Sequence, residues 1–470
     1  MTLNSVNIPQ SLEALKAQLA EEEHISPTLK SMIEMQMLII ELLVNQLGLN
    51  SKNSSKPPSS DINKLKPTRK PSAKKSGGQK GHQGRTLTRV EEPDDIEYLP
   101  VDKTTLPKGR YKDVGVEKRQ VVDIDIRRTV IEYQAQVLVN EKGKRYVAPF
   151  PPNVSKAIQY GQNLKAHVVY LSQYQLLPYQ RIEEYLTDQL HIPISQGSIA
   201  NFNQQAFELL EPYETIVQQK LIASTRLHAD ETGININGQR QWLHCASNDD
   251  WTYYTTHSKR GLEAMIDAKV LPKFKGVLCH DHWKPYYRLR DCRHALCNAH
   301  HLRELTRAYE QDGQQWAGRM KALLEIMNRT IHQTGGQVKQ DEQKRYQGYY
   351  RRLLKQADKE CPEPPKPDDG KRGRVKRSKS RNLVNRLREY EEDVLRFLFE
   401  EDVPFTNNLG ERDIRMTKVH QKISGCFRSE EGANTFCRVR GYLSTSRKQG
   451  VSASAALALL FDGQLPSFCC

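Results

Sequence analysis

The sequence predicts an α/β core, a mixed sheet with a large helical insertion, preceded by helical, basic and small β segments. Two observations carry this. Between Arg226 and His280 the apolar and β-branched residues fall into four short runs, with one helical segment before the last. From Asp281 to about Phe399 the pattern is helical instead, and a further helix begins near Thr406.

The chain has 470 residues, enough for two to four folded units. Its 71 lysines and arginines exceed its acids by 15, a balance that favours a polyanionic partner. The nine cysteines all lie from Cys245 onward, odd in number and irregular in spacing. That argues against a secreted disulfide framework and points to a reduced, cytoplasmic setting. Met1–Gln10 lacks a signal-peptide pattern, and no apolar run reaches the roughly 18 residues of a membrane span.

Residues 1–49 read as helix. Ile33, Met37, Ile40, Val44 and Leu47 form a seam about two heptads long, which fits a short coiled coil between protomers or a helix docked on its own chain. Residues 50–89 are rich in Ser, Pro, Gly and Lys, with too few apolar residues to offset ordering. This basic arm offers Lys64, Lys66, Arg69, Lys70, Lys74, Lys75 and Lys80 to phosphates; the plain alternative is a solvated linker. Residues 90–155 read as a small β unit, with strands at Arg119–Ile126 and Thr129–Val139.

Residues 156–220 are helical, with helices at Asn163–Gln175, Tyr179–Leu190 and Gln196–Leu209. Ser195 caps the third. The last two resemble a helix-turn-helix, placing Gln196, Ser198, Asn201 and Asn203 where base contacts are made. Helical hairpins also pack in proteins that never meet DNA.

Residues 221–450 form the core. Strands are expected at Arg226–Ala229, Gln241–Ala246, Trp251–Thr256 and Gly276–His280, with a helix at Gly261–Ala268 before the fourth. Three strands, a helix and a fourth strand open an RNase H-like fold. The helical insertion spans about 302–404, broken by the proline-rich and basic stretch Cys361–Ser380, and 451–470 form a tail.

Three acids stand out. Asp230 closes the first core strand, Asp281 follows the fourth, and Glu411 lies early on the helix after the insertion. Strand alternation puts Asp230 and Glu231 on opposite faces, so one of them faces the site, and Asp230 is chosen. On a helix, Asn408 and Arg415 share the face of Glu411, and Arg412 and Lys418 extend a basic surface. Three converging carboxylates suit two Mg2+ ions, with Mn2+ as a substitute, for in-line phosphoryl chemistry. Taken singly, each acid also fits a turn or capping role. Cys297 and His300, in Cys-x-x-His spacing, fit a structural role or part of a zinc site.

Several segments resemble a bacterial insertion-sequence transposase of the IS-sixty-six type. They are Asn53–Asp61, Gly77–His82, His228–Thr232, His280–Trp283 with Tyr286, Leu296–His300 with Leu302–Leu305, and Asn407-Asn408 with Glu411-Arg412 and Arg415. The resemblance implies a DDE triad at Asp230, Asp281 and Glu411 in an RNase H-like domain. It also implies Mg2+, terminal inverted repeats and target DNA as partners, and a homo-oligomer bridging two DNA ends at the bacterial nucleoid. Two departures matter. Residues 90–150 hold no cysteine, so the four-cysteine zinc module common in the family is excluded there. A C-terminal extension is expected to be absent or altered, since the chain stops at Phe468-Cys469-Cys470. Besides a transposase, the residues fit a structure-selective nuclease of the same fold or a non-catalytic DNA-binding regulator.

Overall fold

The computed structural model describes residues 2–3, 6–21, 24–50, 52–54, 87–365 and 377–469. The lysines and arginine proposed for the basic arm, Lys64 to Lys80, lie outside the described residues. The chain divides into two units, residues 1–64 with 133–470, and residues 65–132.

Within residues 65–132, the described segment is mostly exposed and irregular, with one helical turn at Lys103–Thr105. The strand expected at Arg119–Ile126 does not form. Its apolar side chains have nothing to bury against: Val121 is 91% exposed and Ile124 is 78% exposed. Alternation alone does not make a ladder without a partner and a covered face. The second expected strand shortens to β1 (Val137–Val139), which belongs to the other unit and pairs antiparallel with β2 (Arg145–Val147).

In the other unit, α1 (Ile8–Glu21) and α2 (Pro27–Leu47) form a hairpin. Ser26 caps α2 by accepting the Leu29 N–H. Leu12 and Leu19 pack on Met37 and Ile33, so the first half of the expected seam closes on the chain's own α1. Ile40 and Leu47 remain exposed. No helix among the described residues is long and apolar enough to cross a membrane.

Helices α3 (Gln162–Val169), α4 (Tyr179–Leu190), α5 (Gln196–Leu209) and α6 (Glu211–Ile222) follow; α4 and α5 have the expected bounds, α3 ends at Val169 and passes into a wider π-helical turn, Tyr170–Tyr174, and α6 is a further helix. Ser195 caps α5 through the Ser198 N–H at 3.2 Å. These helices bury Ile182, Leu186, Ile199, Ala206 and Val217 in one core that also holds Leu227, Ala229, Leu278, Val439 and Leu457.

That sheet contains β3 (Arg226–Ile236), β4 (Gln239–Ser247), β5 (Thr252–His257), β6 (Val277–His280) and β7 (Arg293–Leu296), in the order β5-β4-β3-β6-β7. The first three strands are antiparallel neighbours, while β6 runs parallel to β3, and β7 to β6. A short helix, α7 (Leu262–Asp267), precedes β6. Gly276 is fixed by close approach: a Cβ there would lie 2.2 Å from the Thr225 carbonyl oxygen.

Among the described residues the insertion has five helices, α8 (Asn298–Glu310), α9 (Gln315–Gln333), α10 (Gln340–Glu360), α11 (Lys379–Glu389) and α12 (Glu391–Phe399). They have their own core around Trp316, Met320, Tyr350, Leu383 and Leu395. The chain then returns as α13 (Asn408–Ser424), which lays Ile414 against Ile234, Leu243 and Cys245 on the second face of the sheet. Helices α14 (Glu430–Lys448) and α15 (Ala453–Phe461) complete the unit.

Candidate active site

Asp230 does not close its strand. β3 continues to Ile236, paired with β4 from His228 to Ile236, so Asp230 is the fifth of eleven residues. What ends near Asp230 is the parallel neighbour. The β3–β6 ladder runs from Arg226↔Val277 to His228↔Cys279, and β6 stops at His280. Asp230 therefore lies just past the ladder's end, where the sheet splits open.

The parallel registers set the rest. His228 is level with Cys279, and Cys279 with Ala295. Two residues further along each chain come Asp230, Asp281 and Cys297. Because side chains alternate with period two, residues so spaced share a face. It is the face bearing Ile234 and Cys245, onto which α13 packs.

Burial pushes the Asp230 carboxyl up to about 8, and the negative charges of Glu231, Asp281 and Glu411 push in the same direction. Only the Glu231 N–H, donating to Asp230 Oδ1 at 2.9 Å, opposes them. Asp281 Oδ1 accepts the Trp283 N–H at 2.9 Å, which holds the turn after β6.

Glu411 enters on the first turn of α13, whose start is pinned by Asn407. The buried Asn407 donates from Nδ2 to the Ala229 carbonyl at 2.8 Å, and its Oδ1 lies 2.8 Å from His228 Nδ1. Since Nδ2 is the amide donor, Oδ1 accepts, and His228 donates as a neutral imidazole. Burial lowers the His228 pKa to about 4, in keeping with that state. The Asn407 backbone N–H donates to Cys297 Sγ at 3.1 Å. A Cβ at Gly410 would lie 3.2 Å from Asn407 Oδ1, so the small residue leaves that side chain its place. Further along α13, the nearly buried Asp413 pairs with Lys448 at 2.6 Å. The sequence marks Asn407 only as part of a family-like segment and places Asn408 beside Glu411, but Asn408 is exposed and the anchoring falls to Asn407 and Asp413.

Cys297 and His300 also border Glu411. Its Oε1 lies 3.8 Å from Cys297 Sγ and 3.9 Å from His300 Nδ1. The Cys-x-x-His spacing marked these two residues, but not their closeness to Glu411.

On the opposite face Glu231 is fully engaged. Arg260 donates to Oε1 from Nε at 2.8 Å and Nη2 at 2.5 Å, and Tyr286 donates its hydroxyl to Oε2 at 2.6 Å. The Arg260 guanidinium also stacks on Trp283 and Trp242, at 4.1 and 4.9 Å.

The residues expected to meet DNA fall into three groups. Gln196 and Asn201 are exposed on α5, and Ser198 is half-buried. Asn203 is not a surface residue: it is buried and bonded to Ser172, Tyr179 and the Ile199 carbonyl, because it lies one turn after Ile199 on the core-facing side of α5. On α13, Arg412 and Arg415 are exposed, whereas the Lys418 ammonium donates to the Gly233 carbonyl at 2.9 Å and to Gln421.

A family model described as "Transposase IS66 family" matches residues 157–435, more than half of the chain and a span that includes Asp230, Asp281, Cys297, His300 and Glu411. A second model, for a family of unknown function, matches residues 3–88. No curated protein matches the chain.

Proposed function

The chain belongs to the transposase IS66 family, and from that premise we propose that it cuts element ends and joins them to target DNA, using Asp230, Asp281 and Glu411 to hold two Mg2+ ions. One observation carries the proposal: the parallel registers bring Asp230, Asp281 and Cys297 each two residues past level strand positions, and Glu411 Oε1 lies 3.8 Å from Cys297 Sγ. Gathering three carboxylates where water is scarce is unfavourable unless cations balance them. All-oxygen donors suit Mg2+, with Mn2+ as a substitute. The sheet order, with three antiparallel strands and two parallel ones beside the first, supports the RNase H-like reading.

When bound, the two ions supply an activated nucleophile and stabilise the leaving oxygen. Asp230 must give up its proton before it can act as a ligand. Asn407 ties the first turn of α13, and with it Glu411, to β3. In cleavage a water oxygen attacks phosphorus, the bond to the 3′-oxygen breaks, and a 3′-hydroxyl is freed. In joining, that hydroxyl attacks a target phosphate and displaces another 3′-oxygen, so the number of phosphodiester bonds is conserved. Arg412 and Arg415, exposed on α13, contact phosphates. Gln196, Ser198 and Asn201 on α5 serve the helix-turn-helix reading of DNA, and Lys64 to Lys80 add sequence-independent affinity. Two copies bridge two ends, at the nucleoid where the substrate lies.

Purified protein is incubated with inverted-repeat DNA, a target plasmid and Mg2+. Cleaved ends and joined products are expected, and both vanish in Asp230→Asn while DNA binding persists. Cleavage of branched duplexes without joining would make the chain a structure-selective nuclease. Binding with no cleavage in any divalent ion would make it a regulator.

A further inference from the structure

We propose that Cys297, His300 and Glu411 form a second metal site, for one thiophilic divalent cation of the zinc class, beside the pair of aspartates. The three residues come from three places: the end of β7, the first turn of α8 and the first turn of α13. One ligand atom from each lies within 4.8 Å of the other two.

Four features of the cluster point to a cation. The first is spacing. Zinc binds sulfur at about 2.3 Å and nitrogen or oxygen at about 2.0–2.2 Å, so a tetrahedral ion holds its ligand atoms roughly 3.4–3.6 Å apart. The observed 3.8 Å from Cys297 Sγ to Glu411 Oε1, and 3.9 Å from His300 Nδ1 to the same oxygen, need only a few tenths of an ångström of closure. The second is an orphan: His300 Nδ1 is buried and has no hydrogen-bond partner. Buried polar atoms are nearly always paired, and a metal ion would complete this one. The third is the Asn407 backbone N–H aimed at Cys297 Sγ at 3.1 Å. Such a donor supports a thiolate bound to a metal, as outer-shell hydrogen bonds do for metal ligands generally. The fourth is donor chemistry. Thiolate and imidazole select zinc-class ions over Mg2+, which keeps the site distinct in kind from the all-oxygen one.

Three protein ligands leave a fourth position open. The ion would clip α13 to the sheet across the five-helix insertion and fix the Glu411 carboxylate. Glu411 is the one residue shared with the proposed Mg2+ site; Cys297 and His300 belong to this site alone, so the two readings can fail separately.

The test is a cobalt titration of the full chain after chelator treatment. Cobalt replaces zinc and reports a thiolate ligand by a charge-transfer band in the near ultraviolet. A band saturating at one equivalent is expected, abolished in Cys297→Ser, bleached by added zinc and retained in Asp230→Asn. Cobalt affinity is expected to fall about tenfold or more in His300→Ala and in Glu411→Gln. Circular dichroism checks that each variant folds. Should Cys297→Ser fail to fold, the His300→Ala and Glu411→Gln affinities decide. No thiolate band in the parent protein, a band that survives Cys297→Ser, or unchanged affinity in both other variants would overturn the proposal.

Discussion

The two faces of the central sheet treat neighbouring carboxylates in opposite ways. On the α7 side, Glu231 is buried but answered: a bidentate guanidinium and a phenol hydroxyl take up both its oxygens. On the α13 side, Asp230 is buried and faces two further acids, with one backbone N–H as its hydrogen-bond support. The first arrangement is complete within the chain and serves the fold. The second leaves negative charge uncompensated, which a fold avoids unless another charge is to be brought in. Adjacent residues in one strand thus have different uses, separated only by the alternation of the pleat.

The largest effect that tests this contrast is on chemistry. Asp230→Asn keeps the size of the side chain and removes a proposed metal ligand. It is expected to reduce cleavage by about a thousandfold, roughly 4 kcal/mol of transition-state stabilisation. Measured on pre-nicked and intact end substrates, near-parent rates on both would remove Asp230 from the mechanism. Glu231→Gln should act on stability instead. It leaves Arg260 without its buried partner, at a cost of about 3 kcal/mol, the low end for breaking a buried pair. The low end applies because the Arg260 side chain keeps 36% exposure. Denaturant unfolding would reveal the loss, and an unchanged midpoint would mean that the stacked tryptophans hold Arg260 unaided.

Much of this site could be read in the sequence, for identifiable reasons. Asp230 and Asp281 follow short runs, Leu227-His228-Ala229 and Val277-Leu278-Cys279-His280, that read as strands by local pattern, and the helix bounds around α4 and α5 follow from capping and periodicity. What the sequence hid was register. Asp230 is mid-strand, and the opening beside it comes from the shortness of β6, four residues against eleven in β3. The placing of Cys297 and His300 against Glu411 depends on a helix that returns after more than a hundred residues. Asn407 does its work through Ala229 and His228, contacts between distant segments that no local pattern encodes. The failure at Arg119–Ile126 is the converse, a strand-like pattern with no covered face to make it a strand.

Asn407 offers the next, smaller perturbation, because it joins the α13 face to β3. Asn407→Ala leaves the Ala229 carbonyl and the His228 Nδ1–H buried without partners. The expected loss is about 2 kcal/mol in thermal or denaturant unfolding. Cleavage should fall less than in Asp230→Asn, since all three acids remain. Equal loss of cleavage in the two variants would give Asn407 a part in the chemistry itself.

The smallest effect reverses a sign between the faces. The Asp230 carboxyl titrates near 8 in the folded chain, against roughly 3.9 when unfolded. The folded state therefore holds the proton more tightly, and metal-free stability falls as pH rises from about 4 to about 8. Asn at this position never ionises and escapes the loss. At pH 8 without divalent ions, Asp230→Asn is thus expected to stabilise the protein, by about 1 kcal/mol net once the cost of burying the amide is counted. At pH 5 the gain should vanish, because Asp230 is then protonated. Glu231→Gln should destabilise at pH 8, where its ion pair with Arg260 is intact. Mg2+ should favour the parent increasingly as pH rises, because binding has to release the Asp230 proton. Melting curves at the two pH values, with and without Mg2+, separate the faces. If Asp230→Asn destabilised the metal-free protein at pH 8, the charge on this face would already be balanced within the chain.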